Sequence, residues 1–150
     1  MTLLACLMLE KVKLHQKFTK WPLHLTIVPW FTISPQYLSS FLSRLDQAAG
    51  RLSSISLEPD RIDYFGPEKT TRVVTVKGSR GLISLHQDML SIIKSSNGVI
   101  NDSRHVGPNY IPHVSVATNN TIDSMACHEM FLVSFNEKNV RQIVEIIKFG

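Results

Sequence analysis

Two histidines in this chain stand in matching company. His24 opens the run His24-Leu25-Thr26-Ile27-Val28, and His113 opens His113-Val114-Ser115-Val116-Ala117. In each run an apolar residue follows the histidine, then a hydroxyl residue, then two more apolar residues. A proline stands just ahead of each, Pro22 and Pro112. Imidazole titrates at about 6.5, so both of its protonation states exist near neutral pH. Two imidazoles facing one phosphate can therefore divide the proton transfers. One takes a proton from an attacking water or hydroxyl, and the other gives one to the leaving oxygen. The hydroxyls of Thr26 and Ser115 can donate to the non-bridging oxygens, where charge grows in the transition state. Such a scheme calls for no metal and no cofactor.

The elements that must position these groups are strands. Alternating Leu, Ile, Val and Thr favour extended backbone, and a strand points residues i and i+2 to one face. His24 and Thr26 should project together, as should His113 and Ser115, while Leu25, Ile27, Val114 and Val116 point into a core. Both imidazoles and both hydroxyls converge on one cleft if the two strands lie side by side.

Around these strands the chain reads in order. Residues 3–9 form a short apolar strand, and 10–20 a basic surface connection with Lys11, Lys13, Lys17 and Lys20. The first signature strand spans 21–30 and is expected to stop at Pro29. Ser34-Pro35 then starts a helix whose apolar residues, Tyr37, Leu38, Phe41, Leu42, Leu45 and Ala48/Ala49, recur every three or four positions up to a Gly50 C-cap. Strands follow at 53–57, 61–65 and 71–76, punctuated by Pro59 and by Gly66-Pro67. A second amphipathic helix spans 82–95, with Leu85, Met89, Leu90, Ile92 and Ile93 inward. After a polar loop (98–109) come the second signature strand (110–118), a strand at 129–135, and a last helix capped by Asn136 that buries Val140, Ile143, Val144 and Ile147. The expected fold class is α+β: one bilobal domain over residues 1–150, built of two related halves with mostly antiparallel sheets.

Composition fits a globular protein. Apolar residues make up 43% and charged residues 19%, proportions unlike those of a disordered chain. The net charge of +4 suits an anionic ligand. The basic residues are scattered, so non-specific duplex DNA binding is not indicated. Cys6 and Cys127 lie far apart with no CxxC spacing and read as free thiols in a reducing compartment. No apolar run reaches secretory or membrane-spanning length. The expectation is a monomeric cytoplasmic protein.

The pair His24-x-Thr26 and His113-x-Ser115 resembles the two-histidine phosphoesterase superfamily, which includes the 2′-5′ RNA ligase-like proteins and RNA 2′,3′-cyclic phosphodiesterases. Both copies follow the family's His-apolar-Thr/Ser-apolar pattern, and the order of elements around them is also similar. The resemblance implies two pseudo-symmetric halves around a central groove, with helices packed outside. It implies a metal-independent phosphoesterase acting on cyclic or 2′,5′ phosphodiesters of RNA ends or small nucleotides. His24 and His113 would be the acid–base pair, with Thr26 and Ser115 on the phosphate. Which histidine serves as base is left open, because the roles exchange with reaction direction. The alternatives are a 2′,5′-oligonucleotide phosphodiesterase and a nucleotide- or RNA-binding module without turnover.

Nucleobases near such a site would stack on aromatic rings, for which Trp30, Phe31, Tyr64, Phe65 and Tyr110 are candidates. Phe31 and Tyr110 stand nearest the signatures and are expected at the groove mouth as substrate-binding residues. Lys20, Arg72 and Arg104 could add positive charge. Trp21, Phe41, Phe131 and Phe135 are assigned to the core. His15, His86, His105 and His128 lack a matching neighbourhood and are assigned to solvent. Cys127-His128 lacks partners at zinc-site spacing, so no metal site is expected.

Overall fold

The computed structural model describes residues 1–117, 119–136 and 138–150. The elements run β1 (Thr2–Met8), β2 (Lys17–Phe18), β3 (His24–Thr32), α1 (Pro35–Gly50), β4 (Ile55–Leu57), β5 (Pro59–Phe65), β6 (Thr71–Val76), α2 (Arg80–Ser95), β7 (Val99–Ile100), β8 (His113–Ser115), β9 (Met125–Cys127), β10 (Glu129–Phe135) and β11 (Arg141–Lys148). A short 3-10 turn, Gly107–Asn109, precedes β8.

The main sheet orders its strands β2-β11-β10-β1-β3-β8-β6-β5, with β7 paired to β3, and β4 pairs β9 separately. Every pairing is antiparallel. The α+β class with antiparallel sheets is therefore as the sequence suggests. The two halves meet at the centre of one continuous sheet, where β3 lies against β8 through the pair Leu25↔Val114.

One face of this sheet is covered by helices. α2 packs on β3, and α1 packs on α2 and β11. Their apolar stripes, Phe41, Leu45 and Ala49 on α1 and Leu82, Leu85, Met89 and Ile93 on α2, close over Leu25, Ile27, Phe31 and Val114. Ser79 caps α2 by accepting a 3.1 Å bond from the Leu82 amide. On the opposite face Leu4, Cys6, Met8, Phe131, Val133 and Ile143 form a smaller cluster, covered by Val12, Phe18, Trp21 and Trp30. The 9–20 connection thus does for this face what helices do for the other.

Several sequence expectations are corrected here. The segment expected as a last helix is β11. Its apolar residues serve both faces of the sheet, with Ile143 in the smaller cluster and Ile147 in the larger. A bulge against Leu132/Val133 breaks its alternation, and together these mimic a helical period. Asn136 instead organises the turn into β11, its side-chain oxygen accepting from the Lys138 and Val140 amides. β3 does not stop at Pro29 but runs to Thr32. Its register against β1 slips twice, between Cys6↔Thr26 and Ala5↔Val28 and again between Ala5↔Val28 and Leu3↔Phe31. Pro29 falls in the second slip, where a missing amide costs no ladder bond. Gly50 is the last residue of α1, and Arg51 follows as the C-cap in a right-handed conformation. The expected second signature strand shortens to β8, and its last residue, Thr118, lies outside the described residues.

Candidate active site

The register of the central pair fixes the site. Because Leu25 faces Val114, His24 lies across from Ser115 and Thr26 across from His113. Leu25 and Val114 are fully buried among the helices, so all four polar residues project from the opposite face. Directly opposed side chains stand about 5 Å apart at Cβ and diagonal ones about 7–8 Å. The two histidines form one diagonal and the two hydroxyls the other. This spacing leaves room for a phosphate among the four.

Each imidazole is held by the same device. The His24 Nδ1 lies 2.9 Å from the carbonyl oxygen of Pro22, and the His113 Nδ1 lies 2.8 Å from that of Ile111, in both cases two residues earlier. A carbonyl only accepts, so Nδ1 carries the proton in each ring and Nε2 is left free for the groove. The rings are also packed. Trp21 stacks on His24 with centroids 4.2 Å apart, and Phe65 meets His113 edge-on at 4.8 Å. Burial lowers the His24 pKa below the ordinary imidazole value, the Pro22 carbonyl opposes that shift, and the nearby charge of His113 adds to it. His24 is therefore biased toward the neutral state, with an available lone pair on Nε2.

A cavity of about 550 Å³ opens beside this constellation. Thr26 and His113 line it together with Tyr64, Phe65, Tyr110 and Ile111, and Lys69, Asp102, His105 and Asn109 add polar groups to its lining. Of the expected aromatics, then, Tyr64, Phe65 and Tyr110 line this space. Phe31 does not. It is fully buried and packs on Phe41, because it falls an even number of residues after Leu25 and the two slips in β3 cancel, which keeps it on the helix-covered face. Trp30 faces the other way, on the far side of His24. Arg72 serves the fold, donating to the carbonyls of Ala117 and Asn120 in the loop after β8. Arg104 is paired with Asp102 at 2.7 Å, and its hydrogen bonds hold the Asp102 carboxyl down at about 2. No contact of Lys20 places it at the groove.

The residue that the sequence reading assigned to solvent and the structure places at the heart of the fold is His86. It is 1% exposed on α2. Its Nδ1 lies 2.7 Å from the carbonyl oxygen of Ile27, and its Nε2 accepts a 2.9 Å bond from the Gly107 amide. Ile27 is the residue that the first slip in β3 leaves without a β1 partner, so His86 satisfies a carbonyl the ladder does not use. Gly107 adopts a left-handed φ of +66°, open to glycine at little cost. Tyr110 lies flat on His86, centroids 3.9 Å apart, and its hydroxyl donates to the Thr26 carbonyl at 2.8 Å. The loop before β8 is thereby bolted to the strand that carries His24 and Thr26.

Phe135, assigned to the core, is 43% exposed. Both cysteines are buried, and burial pushes the Cys127 thiol up to about 11 and that of Cys6 higher still. Neither is a ready nucleophile. Among the described residues no group of three or more His, Cys, Asp or Glu side chains converges to hold a metal ion, and no helix is long and apolar enough to cross a membrane.

An antiparallel α+β fold with two His-x-Thr/Ser strands meeting at its centre defines a two-histidine phosphoesterase-like protein. Residues 7–142 match the 2′-5′ RNA ligase superfamily, and the chain belongs to that superfamily. Among solved structures it is similar to TT0787 of Thermus thermophilus (TM-score 0.68, 14% identity, covering 99% of this chain and 98% of that one). It is also similar to Escherichia coli LigT complexed with NADP+ (TM-score 0.65, 17% identity, 99% and 96%) and to LigT complexed with 3′-AMP (TM-score 0.59, 18% identity, 99% and 96%). No curated protein sequence matches the chain.

Proposed function

We propose that this protein is a phosphoesterase that opens 2′,3′-cyclic phosphodiesters at RNA ends or on nucleotides by paired histidine acid–base catalysis, without a metal. The observation that carries this reading is the matched pair of Nδ1–carbonyl bonds, which leaves two Nε2 atoms across one diagonal of a polar quartet. His24, biased to the neutral form by burial, takes a proton from water as the water oxygen bonds to phosphorus. His113, protonated, gives its Nε2 proton to the ribose oxygen as the P–O bond of the ring breaks. Thr26 and Ser115 donate to the non-bridging oxygens. The aromatic-walled cavity beside His113 holds the nucleobase, with Tyr64, Phe65 and Tyr110 available to it. The complexes of LigT with 3′-AMP and NADP+ lend support, since a protein of the same fold holds nucleotides.

The test is turnover of an RNA oligomer ending in a 2′,3′-cyclic phosphate, with EDTA present, beside His24→Ala and His113→Ala proteins. Ring opening by the unaltered protein and its loss in both folded variants is the expected result. A reaction abolished by chelator would overturn the mechanism. Cleavage of 2′,5′-oligoadenylate in preference to cyclic ends would move the substrate to an internal 2′,5′ bond while keeping the histidine roles. Tight nucleotide binding with no turnover of either would leave a binding module.

A further inference from the structure

In the strand order the cavity lies on the β8–β5 side of His24. On the β10–β11 side, the same face of the sheet carries a second group of aromatic and cationic residues. His24 and Thr26 stand in register with Met8 and Cys6, and both of those belong to the cluster that Trp21 and Trp30 cover. From His24 the rings continue without a break. Trp21 stacks on His24, Trp30 lies 6.3 Å from Trp21, and Phe135 meets Trp30 edge-on at 5.9 Å. The Arg141 guanidinium sits over both Trp21 and Phe135, 5.6 and 5.7 Å from their centroids. Lys17 and Lys138 line a second cavity, about 490 Å³, next to the strand pair β2–β11. Lys20 immediately precedes Trp21.

Two features set this group apart from a cover for the small core. The cover needs Phe18, Trp21 and Trp30, yet Phe135 is left 43% exposed at its outer edge. The cations are also not engaged in ion pairs, for among the described residues Lys17, Lys20, Lys138 and Arg141 form no salt bridge. Partly exposed rings beside positive charge, in line with a phosphate site, match what a single-stranded nucleic acid requires. Unpaired bases stack on rings while the backbone meets cations. A duplex hides its base faces and would leave the rings unused.

We propose that this group is a second nucleotide-binding platform. A nucleotide of single-stranded RNA adjoining the reacting phosphate stacks at Trp30 and Phe135, and Lys17, Lys20, Lys138 and Arg141 meet its backbone. The proposal rests on the reading of His24 and His113 as the phosphate-facing pair. It makes the protein a reader of oligonucleotides rather than of mononucleotides.

Trp21 and Trp30 are the only tryptophans in the chain, so tryptophan fluorescence reports on this platform and, through Trp21, on His24 beside it, and the platform is read from the quenching that the oligomer adds over the mononucleotide. A single-stranded oligoribonucleotide with a 3′-phosphate and a nucleoside 3′-phosphate are titrated separately into the protein at low salt. The oligomer is expected to quench the fluorescence and to bind at least about tenfold tighter. Phe135→Ala and the double change Lys17→Glu/Lys138→Glu should each weaken the oligomer about tenfold more than the mononucleotide, and the double change should flatten the salt dependence. Equal binding of the two ligands without that added quenching, in a protein that opens cyclic phosphates, would overturn the platform and leave the catalytic reading intact. Quenching and tight oligomer binding without turnover of any phosphodiester would uphold the platform and remove the catalytic reading.

Discussion

The hydroxyl of Tyr110 donates a 2.8 Å hydrogen bond to the backbone carbonyl of Thr26, so the loop that delivers His113 is tied to the strand that carries His24. Burial pushes the phenol up, which keeps the proton on the oxygen and the bond in place. Tyr110→Phe preserves the flat stack on His86 and deletes only this tie. The expected cost is about 1 kcal/mol in urea unfolding, with a several-fold fall in kcat as the two histidines lose their fixed spacing.

His86 should make stability depend on pH. Its Nε2 accepts from the Gly107 amide, so protonation breaks that bond, and burial lowers its folded pKa below the unfolded value of 6.5. Between the two values the unfolded chain binds more protons than the folded one, so unfolding free energy rises with pH. The stabilisation is full above about 6.5 and is lost as pH falls toward the folded pKa. His24, shifted the same way, adds to the slope. Urea unfolding at pH 7.5 and 5.5 should show lower stability at the acid value. His86→Leu should lose about 2–4 kcal/mol at pH 7.5 and a good part of the slope.

Thr26→Ala and Ser115→Ala should each lower kcat about 10²-fold if their hydroxyls hold the phosphate, and neither should shift the thermal midpoint much. Thr26 is half-buried and Ser115 exposed, so neither truncation empties the core. Thr26→Ser restores the donor and should recover most of the rate. Steady-state kinetics beside thermal melts separate these outcomes from a folding defect.

The signature strands were legible because alternation needs only local information. Leu25, Ile27 and Val114 are wholly buried while the residues between them are not, as period two demands. Phe31 and the last element were misread for different reasons. Plain alternation from Leu25 already places Phe31 on the core face, whereas the bulge in β11 breaks the alternation that would have marked a strand. Around β11 the spacing of Val140, just before the strand, with Ile143, Val144 and Ile147 within it imitates a helix, although the β-branched content argues for a strand. His86 carried no signal at all. Its partners, Ile27 and Gly107, come from distant segments and meet it only in the folded chain.

The strand assignment of β11 is itself testable. Ile143 is fully buried in the smaller cluster, while Val140 lies outside the strand and only partly covered. Ile143→Ala should cost about 2–4 kcal/mol and Val140→Ala under about 1 kcal/mol. A buried helical face would make the two costs alike. Urea denaturation of both variants decides between them.

The most direct measurement compares kcat/KM for a 2′,3′-cyclic phosphate substrate in His24→Ala, His113→Ala and the double variant, each verified as folded. Groups that act as one acid–base pair are non-additive, so each single change should cost about 10³-fold or more and the double change little beyond that. Either single variant retaining near-normal turnover would contradict a paired-histidine mechanism.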